Sequence, residues 1–362
     1  MKRDKKNVLK HYTIAILFFC TLLSQPAWAE EKQEFQIKDL IFEHLEDAYK
    51  WYFFTWKETD VSLYLPVIVQ SPRGEWVVFS SSHLEKGKIY KGFYIAQEGN
   101  YKHKIVTTNS AGEEIRPWDF SITKNVLAIF ISIGIMLTSF LALARWYKKD
   151  RLQPPGGFLG MLEIVILSIQ DEVIKPSIGK EYERYAPFLL TTFFFVLINN
   201  LMGLIPLFPG GANVTGNITI TFFLSLIVFL LININGNKHY WKEIFWPDTP
   251  TWLKFPVPLM PIIELWSVLM KPAALMVRLF ANIMAGHSMT LGLISLIFIS
   301  AAMGPAANAG LSVASILFST FIGFIELLIS VIQAYVFVLL SSVFIGMSRQ
   351  KAEDSEEENS ES

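Results

Sequence analysis

The chain has 362 residues, of which 52% are hydrophobic and 14% aromatic, and its formal net charge is −1. This composition is too apolar for an ordinary soluble domain, so it predicts a multispanning membrane protein. The near-zero net charge indicates no particular class of partner, and we expect no nucleic acid among the partners.

The first 29 residues resemble a secretory signal peptide. A basic start is followed by an apolar segment, Tyr12 to Leu23, and by the small-x-small cleavage motif A-W-A at 27–29. An uncleaved first anchor is the alternative, but the apolar segment is short for a membrane span. Cys20 is the only cysteine and lies inside this signal, so we expect no disulfide in the mature chain.

Residues 30–123 have the composition of a soluble domain, with β-like alternation around a turn, S-P-R-G, at 71–74. We predict a small β-rich domain outside the membrane. Four side chains could suggest a metal site, namely Glu43, His44, Glu46 and Asp47. Because the cluster contains one histidine, a solvated acidic helix face is the favoured interpretation, and we expect no metal.

Residues 124–348 form the predicted all-α membrane domain, with about five transmembrane helices and one interfacial helix. The predicted spans are Val126–Ala144, Pro187–Ile205, Ile218–Ile234, Pro258–Gly304 and Ala309–Ser348. Residues 157–174 are apolar but interrupted by charges, which is typical of a helix lying in the interface. The last two runs are long: at ~1.5 Å per residue the fourth would reach ~70 Å, against a hydrocarbon core of ~30 Å, so we expect both to be strongly tilted.

The distribution of lysine and arginine sets the predicted orientation. Basic residues follow the first span and occur in the loop 236–256, whereas the loops around 206–214 and 302–311 contain none. By the positive-inside rule, the mature N-terminus lies outside and the C-terminus in the cytoplasm. The acidic tail, 349–362, is predicted to be disordered.

The fourth span carries an unusual polar group, Arg278, in the motif R-L-F-A-N-I-M-A-G. An arginine at bilayer depth keeps its charge and costs at least ~2.5–3.5 kcal/mol on insertion scales, so function is the favoured explanation. Three polar residues share its helix face within ~40°, namely Glu264, Lys271 and Asn282. His287 points the other way, at ~180°, and is free to meet another helix.

The fifth span carries a second polar face. Glu326 and Gln333 are two helical turns apart and fall within ~20° of each other, and Ser330 lies between them in sequence. Because both long spans are polar on one side, we expect these faces to meet neighbours other than lipid.

The motif around Arg278, with Glu264 upstream, and the later E-x6-Q-A-Y-V-F from Glu326 resemble the signature of subunit a of the rotary F-type ATP synthase. The resemblance extends over roughly residues 125–348. It implies the stationary proton-translocating subunit of the membrane sector, with two half-channels and with Arg278 facing the carboxylates of a rotating ring. A snorkelling or structurally paired arginine is the alternative for that residue.

The resemblance also implies the remaining site residues. Glu326 and His287 correspond to the polar pair of the outer half-channel, with acid and imidazole exchanged relative to the common bacterial pattern; a buried ion pair that only joins two helices is the alternative. Gln333 and Asn282 would hold the guanidinium or line the path, with polar contacts between helices as the alternative.

Two further residues follow from the resemblance, and one position departs from it. Glu264 resembles the acid near the cytoplasmic exit, and Asn200, in I-N-N-L-M-G-L-I-P, lies on the outward path. Gly203 stands where the family often has a carboxylate. The outward path is therefore expected to depend more on other residues, such as Asn200. Ser330 completes the predicted path. Lys271 is interpreted as a snorkelling residue in preference to an ion ligand.

The implied partners are the ring of c subunits, b-type peripheral stalk subunits, the F1 catalytic sector indirectly, and the lipid of a bacterial cytoplasmic membrane. No P-loop or other nucleotide motif occurs after the signal, so no ATP site and no cofactor are expected. A self-contained secondary transporter or channel, and a passive scaffold, are the alternatives; the first would ordinarily show inverted repeats, and none is visible. The coupling ion is left open between proton and sodium.

Overall fold

The computed structural model describes residues 46–56, 59–72, 74–109, 112–149, 153–205, 208, 210–246 and 259–349, all within one compact unit of the chain. The predicted signal peptide, the tail from 350 onward, and two of the four possible metal ligands, Glu43 and His44, lie outside the described residues.

The N-terminal region is β-rich, as predicted. Its strands are β1 Lys50–Trp56, β2 Thr59–Tyr64, β3 Pro66–Gln70, β4 Trp76–Ser80, β5 Phe93–Ile95, β6 Ile105–Thr108 and β7 Glu114–Ile115. They form three small antiparallel sheets, β1-β2, β3-β4 and β5-β6-β7. A 3-10 turn, Ser81–Gly87, connects β4 to the last sheet.

The predicted turn at 71–74 joins β3 to β4. Ser71 N donates to Glu75 O at 2.8 Å, and Gly74 adopts φ +86°, a conformation that suits glycine. The alternation of apolar residues buries Val67, Val69 and Phe79 against Phe93 in one small core. The predicted turn between two strands is therefore confirmed.

The acidic residues before β1 do not form a helix face, so that interpretation is wrong for the two that are described. Glu46 pairs with His103 Nδ1 at 3.0 Å, and Asp47 Oδ1 accepts from the backbone N of Asn125 at 3.0 Å. Both residues lie in irregular backbone because their carboxylates are used to connect distant parts of the chain. Within the described residues, no group of three or more His, Cys, Asp or Glu side chains could hold a metal ion.

The rest of the described chain is helical. Its helices are α1 Lys124–Lys149, α2 Gly157–Ser168, α3 Lys175–Ile178, α4 Tyr182–Leu204, α5 Ile218–Ile234, α6 Lys238–Phe245, α7 Leu259–Ser300 and α8 Pro305–Arg349. A π-helical turn, Ile169–Ile174, joins α2 to α3, and short 3-10 turns precede α4 and α8.

Four helical stretches of the described chain are long and apolar enough to cross a membrane, and a fifth is formed if α5 and α6, bent by 101°, count as one span. The prediction of about five spans is confirmed. α2 to α4 form one nearly continuous stretch of 48 residues, so the interfacial location of 157–174 stays a prediction. α7 and α8 have 42 and 45 residues, far longer than the ~20 that a perpendicular span needs, in keeping with the predicted tilt.

Two loop predictions need correction. Residues 305–311 are helical, because Pro305 is the first residue of α8, a position where its missing N–H costs nothing. The stretch 236–256, predicted to be an inward loop, contains α6, whose Tyr240 and Ile244 are one turn apart and buried.

The main apolar core lies between α4, α7 and α8. Its most buried members include Leu189 on α4, Leu275 and Leu279 on α7, and Ala334 and Val338 on α8. α8 packs along both α4 and α7, and α5 packs against α7. This packing brings the polar faces of three helices to a common place.

Candidate functional site

A small polar cleft lies where α4, α7 and α8 meet, with a cavity volume of about 10 Å³, roughly the space that one water molecule needs. Its lining consists of Asn200, Leu204, Asn282, Ile283, Gly286, His287, Glu326, Ile329 and Ser330. Five of the eight predicted site residues are thus in one place, although they come from three helices far apart in sequence.

Glu326 is the acid of the cleft, and its carboxyl group occupies the space above Gly286. A Cβ atom on that glycine would lie 3.0 Å from Cγ of Glu326 and would overlap Oε1. Thr290 lies one turn beyond Gly286 on α7. Among the described residues, neither Thr290 Oγ1 nor Glu326 Oε1 has a hydrogen-bond partner. Because a buried polar atom without a partner costs free energy, the cleft favours a hydrogen-bonding guest such as water.

His287 is the imidazole of the cleft, and it lies against Gly203 of α4. The ring atom Nε2 is 3.5 Å from the position that a Cβ atom on Gly203 would take. The carbonyl oxygen of Ala212 is at the same distance from that position. The glycine that departs from the family pattern therefore borders the imidazole directly, and ordinary van der Waals contact leaves space for a small side chain there.

Asn200 ties the cleft to the segment between α4 and α5. Its Oδ1 accepts from Thr215 Oγ1 at 2.6 Å, and its Nδ2 donates to the backbone O of Ser330 at 3.2 Å. Asn200 and Thr215 are 1% and 2% exposed, so these bonds lie away from solvent. They fix the amide beside the acid and the imidazole.

Arg278 lies outside the cleft, on a face of α7 that is exposed in this chain together with Val277. The guanidinium has five N–H donors, and no described residue accepts from it within hydrogen-bonding distance. Such a group at bilayer depth requires acceptors from elsewhere.

The remaining predicted residues are also outside the cleft lining within the described chain. Gln333 is 6% exposed and lies two turns beyond Glu326 on α8. Glu264 is half-buried near the start of α7. Lys271, interpreted from sequence as a snorkelling residue, has its Nζ 5.5 Å from the centre of the Phe344 ring, a cation–π contact that gives it a local partner.

Sequence reasoning missed Thr215, Thr290 and Asn213. Asn213 is 5% exposed, and its Nδ2 lies 3.8 Å from Sδ of Met284. The string A-N-V-T at 212–215, between α4 and α5, alternates apolar and polar residues, and that was the available signal for Asn213 and Thr215. Thr290 lies eight residues from Asn282 on the same helix, and nothing in its local sequence sets it apart.

The fold and the site together define a polytopic helical membrane protein with a carboxyl–imidazole cleft inside the bundle and an arginine on an open face of a membrane helix. The family model "ATP synthase A chain" matches residues 126–346, more than half of the chain. The chain therefore belongs to the ATP synthase subunit a family. A second family model, "Domain of unknown function (DUF8433)", matches residues 40–120.

Curated relatives agree with this assignment. ATP synthase subunit a of Chloroherpeton thalassium is 36% identical over 242 residues, which cover 65% of this chain and 68% of that protein. The subunit from Pelodictyon phaeoclathratiforme is 38% identical over 237 residues, covering 64% and 66%. The subunit from Myxococcus xanthus is 38% identical over 239 residues, covering 64% and 73%. The resemblance drawn from the motifs is confirmed, and the match spans about two thirds of each relative.

Proposed function

We propose that this chain is the stationary proton-translocating subunit of an ATP synthase membrane sector. Membership of the subunit a family supports the membrane-sector role. The observation that carries the finer proposal is that α7 presents two different polar groups to two different surroundings. His287 lines the cleft with Glu326, whereas Arg278 is outside it on an exposed face.

Arg278 is the proposed cation beside the carboxylates of a rotating ring of c subunits. A permanent positive charge favours the ionised form of an approaching carboxylate, so a proton is released there. The same charge repels a proton that would cross directly from one half-channel to the other. Arginine fits both tasks because it keeps its charge and its fixed fork of donors.

The cleft is the proposed inner end of the half-channel from outside. Glu326 and His287 supply an acid and an imidazole on adjacent helices, which is the chemistry a proton relay requires. Asn200 and Ser330 line the same space, and the unfilled volume beside the unpartnered Oε1 of Glu326 suits a water molecule.

The half-channel toward the cytoplasm is proposed to run along the other side of α7. Glu264 would be the acid near its exit. Asn282, which lines the cleft instead, would line the outer path one turn from Arg278. Gln333, buried on α8, would help to orient the guanidinium.

The proposed assembly follows from this role. The open face around Arg278 would meet the c-subunit ring, b-type stalk subunits would hold the chain stationary, and the F1 sector would make ATP at a distance. The proposed location is a bacterial cytoplasmic membrane, with the mature N-terminus outside and the C-terminus in the cytoplasm.

The test is Arg278→Ala in the complete complex reconstituted into vesicles, with Lys271→Ala as the control cation on the same helix. We expect Arg278→Ala to abolish proton-driven ATP synthesis while the complex still assembles, and Lys271→Ala to retain synthesis. Full synthesis by Arg278→Ala would contradict the proposal. Proton transport by the purified chain without its partners would instead support a self-contained transporter.

A further inference from the structure

The N-terminal β-rich region is packed against the membrane helices through strand β1. Trp51 on that strand is only 3% exposed. It shares a small core with Ala128 of α1, Met202 of α4, and Ala212 and Val214 of the segment that joins α4 to α5. An indole of this size dominates the energetics of a small contact, so this core is centred on Trp51.

Aromatic contacts extend the same interface. The ring of Phe208 meets Trp51 edge-to-face at 5.2 Å between centroids, and it meets Phe53, on the same strand, at 5.3 Å. Trp51 and Phe53 of β1 therefore both contact Phe208, in the connection after α4, and the pairing of β1 with β2 is irregular between Tyr52 and Phe54.

A second set of bonds fixes the region to α1. Asp47 Oδ1 accepts from Asn125 N at 3.0 Å, and Ala48 O accepts from Lys124 N at 2.9 Å. Both donors belong to the first turn of α1, where backbone N–H groups have no partner within the helix. The β-rich region is thus held at two points, and β1 cannot move away from α1 without breaking these bonds.

The segment 210–216 lies between β1 and the polar cleft, and its side chains alternate between them. Ala212 and Val214 are buried in the same small core as Trp51. Asn213 contacts Met284 of α7, and Thr215 donates to Asn200 in the cleft. Asn213 and Thr215, which contact α7 and Asn200, are thus each next in sequence to a residue of the Trp51 core.

We infer that β1 acts as a clamp: it holds segment 210–216 in the conformation in which Thr215 donates its hydrogen bond to Asn200. The N-terminal region would then help to form the outer ion path. This inference rests on the proposed function of the cleft. The clamp contact is defined as Trp51 with Phe208, Ala212 and Val214.

The segment needs such support because of its own sequence. It contains Gly210, Gly211 and Gly216, and glycine backbones populate many conformations when nothing restrains them. Its backbone is tied at two places, Gly211 N to Met202 O at 3.1 Å and Asn217 N to Val214 O at 3.2 Å. The residues between these bonds depend on side-chain packing, and the clamp contact supplies it.

The test compares Trp51→Ala with Trp118→Ala in the complete complex. Trp118 is the same residue type in the same region, but 71% of its side chain is exposed. We expect Trp51→Ala to speed amide exchange across 210–216 and to lower proton flux through the membrane sector several-fold, with Trp118→Ala unchanged in both. Normal exchange and flux in Trp51→Ala would overturn the clamp, whereas an unaffected Arg278→Ala would overturn the proposed function instead.

A second variant covers the case in which Trp51→Ala lowers assembly. Val214→Ala removes two methyl groups from the same contact, and we expect a smaller loss of flux in the same direction. When Val214→Ala is combined with Thr215→Val, the loss of flux should be smaller than the two single losses added together, because both variants disturb the bond from Thr215 to Asn200. Additive losses would show that Val214 does not act through this bond and would overturn the inference.

Discussion

Glu326 of α8 and Gly286 of α7 fit together so closely that the carboxyl group occupies the place where any other residue would have its side chain. A Cβ atom at 286 would be 3.0 Å from Cγ and 3.1 Å from Cδ of Glu326, and still closer to Oε1. This fit brings the acid into the cleft beside His287. The carboxyl group can therefore lie in this position only because residue 286 on the neighbouring helix is a glycine and has no side chain.

Replacement of that glycine tests the fit. Gly286→Ala should displace the carboxyl group and lower proton flux, at an overpacking cost of ~1–3 kcal/mol. Flux through the reconstituted membrane sector is the measurement. Gly292→Ala is the matched control, because it lies on the same helix and a Cβ there has no neighbour within 4 Å. Equal flux in both variants would show that the position of the carboxyl group does not matter.

Exchange of the acid and the imidazole tests whether Glu326 and His287 act as a pair. Glu326→His and His287→Glu should each lower flux by a large factor, since proton relay by a positioned group contributes ~10²–10⁴-fold. The double variant restores one acid and one imidazole to the cleft, so part of the flux should return. If the loss of proton flux in the double variant equals the two single losses combined, Glu326 and His287 do not act as a pair.

The β-rich region contains a buried tyrosine–carboxylate pair. Tyr49, 6% exposed, donates its hydroxyl to Asp119 Oδ2, and its oxygen accepts from Ile105 N at 3.5 Å. Tyr49→Phe should destabilise this region by ~1.5–3 kcal/mol, the usual worth of a hydrogen bond to a charged group. Faster exchange of the Ile105 amide is the measurement. Tyr94→Phe, whose hydroxyl donates to Glu114 at 2.8 Å on the exposed surface, should have little effect.

The same tyrosine predicts a pH dependence. Burial, and then the neighbouring Asp119 carboxylate, raise the pKa of Tyr49 far above its ordinary value. The neutral phenol is thus preferred in the folded state, and this contribution is fully present below pH ~10, the unfolded value. It is lost as the pH rises above ~10, because the unfolded chain then releases a proton that the folded chain keeps. Exchange rates of the Ile105 amide, corrected for intrinsic pH effects, should show this slope in the wild type and not in Tyr49→Phe.

The end of α8 is fixed by an arginine. Arg349 forms a two-point ion pair with Glu181, with Nη2 at 2.6 Å from Oε2. Its Nη1 also donates to Asn235 O and Asn237 Oδ1, both at 2.9 Å. Arg349→Ala should lower the melting temperature of the complex modestly, because Glu181 is 45% exposed and an exposed pair is worth ~1 kcal/mol or less. Lys180→Ala, at an exposed neighbour of Glu181, should leave it unchanged.

Arg349→Lys refines the same test. A lysine can keep the charge but cannot make the two parallel bonds, so its melting temperature should fall between those of the wild type and Arg349→Ala. A melting temperature for Arg349→Lys equal to that of the wild type would show that charge alone matters.

The spans were predictable because hydrocarbon thickness imposes a length that apolar runs must meet. The predicted bounds of α5, Ile218–Ile234, agree with the structure. The start of α8 was missed because P-A-A-N-A-G-L is weakly apolar, although Pro305 after Gly304 was a usable start signal. α6 was missed because it is too short and too polar for a search based on apolar length.

The site was predictable only in part. Helical phase separates Arg278 from His287 on α7, and the structure has His287 in the cleft and Arg278 outside its lining. The bond from Thr215 to Asn200 could not be read from sequence, because it depends on how a glycine-rich segment returns to the bundle. The fit of Glu326 over Gly286 depends on the register of two long helices, which periodicity alone does not give.

The central claim is most directly tested by a density map of the whole ATP synthase complex that resolves the side chain of Arg278. We predict a guanidinium at membrane depth, turned toward the c-subunit ring, with its Cζ within reach of a ring carboxylate directly or through one water. A side chain surrounded by cytoplasmic water, or turned away from every ring carboxylate, would contradict the account.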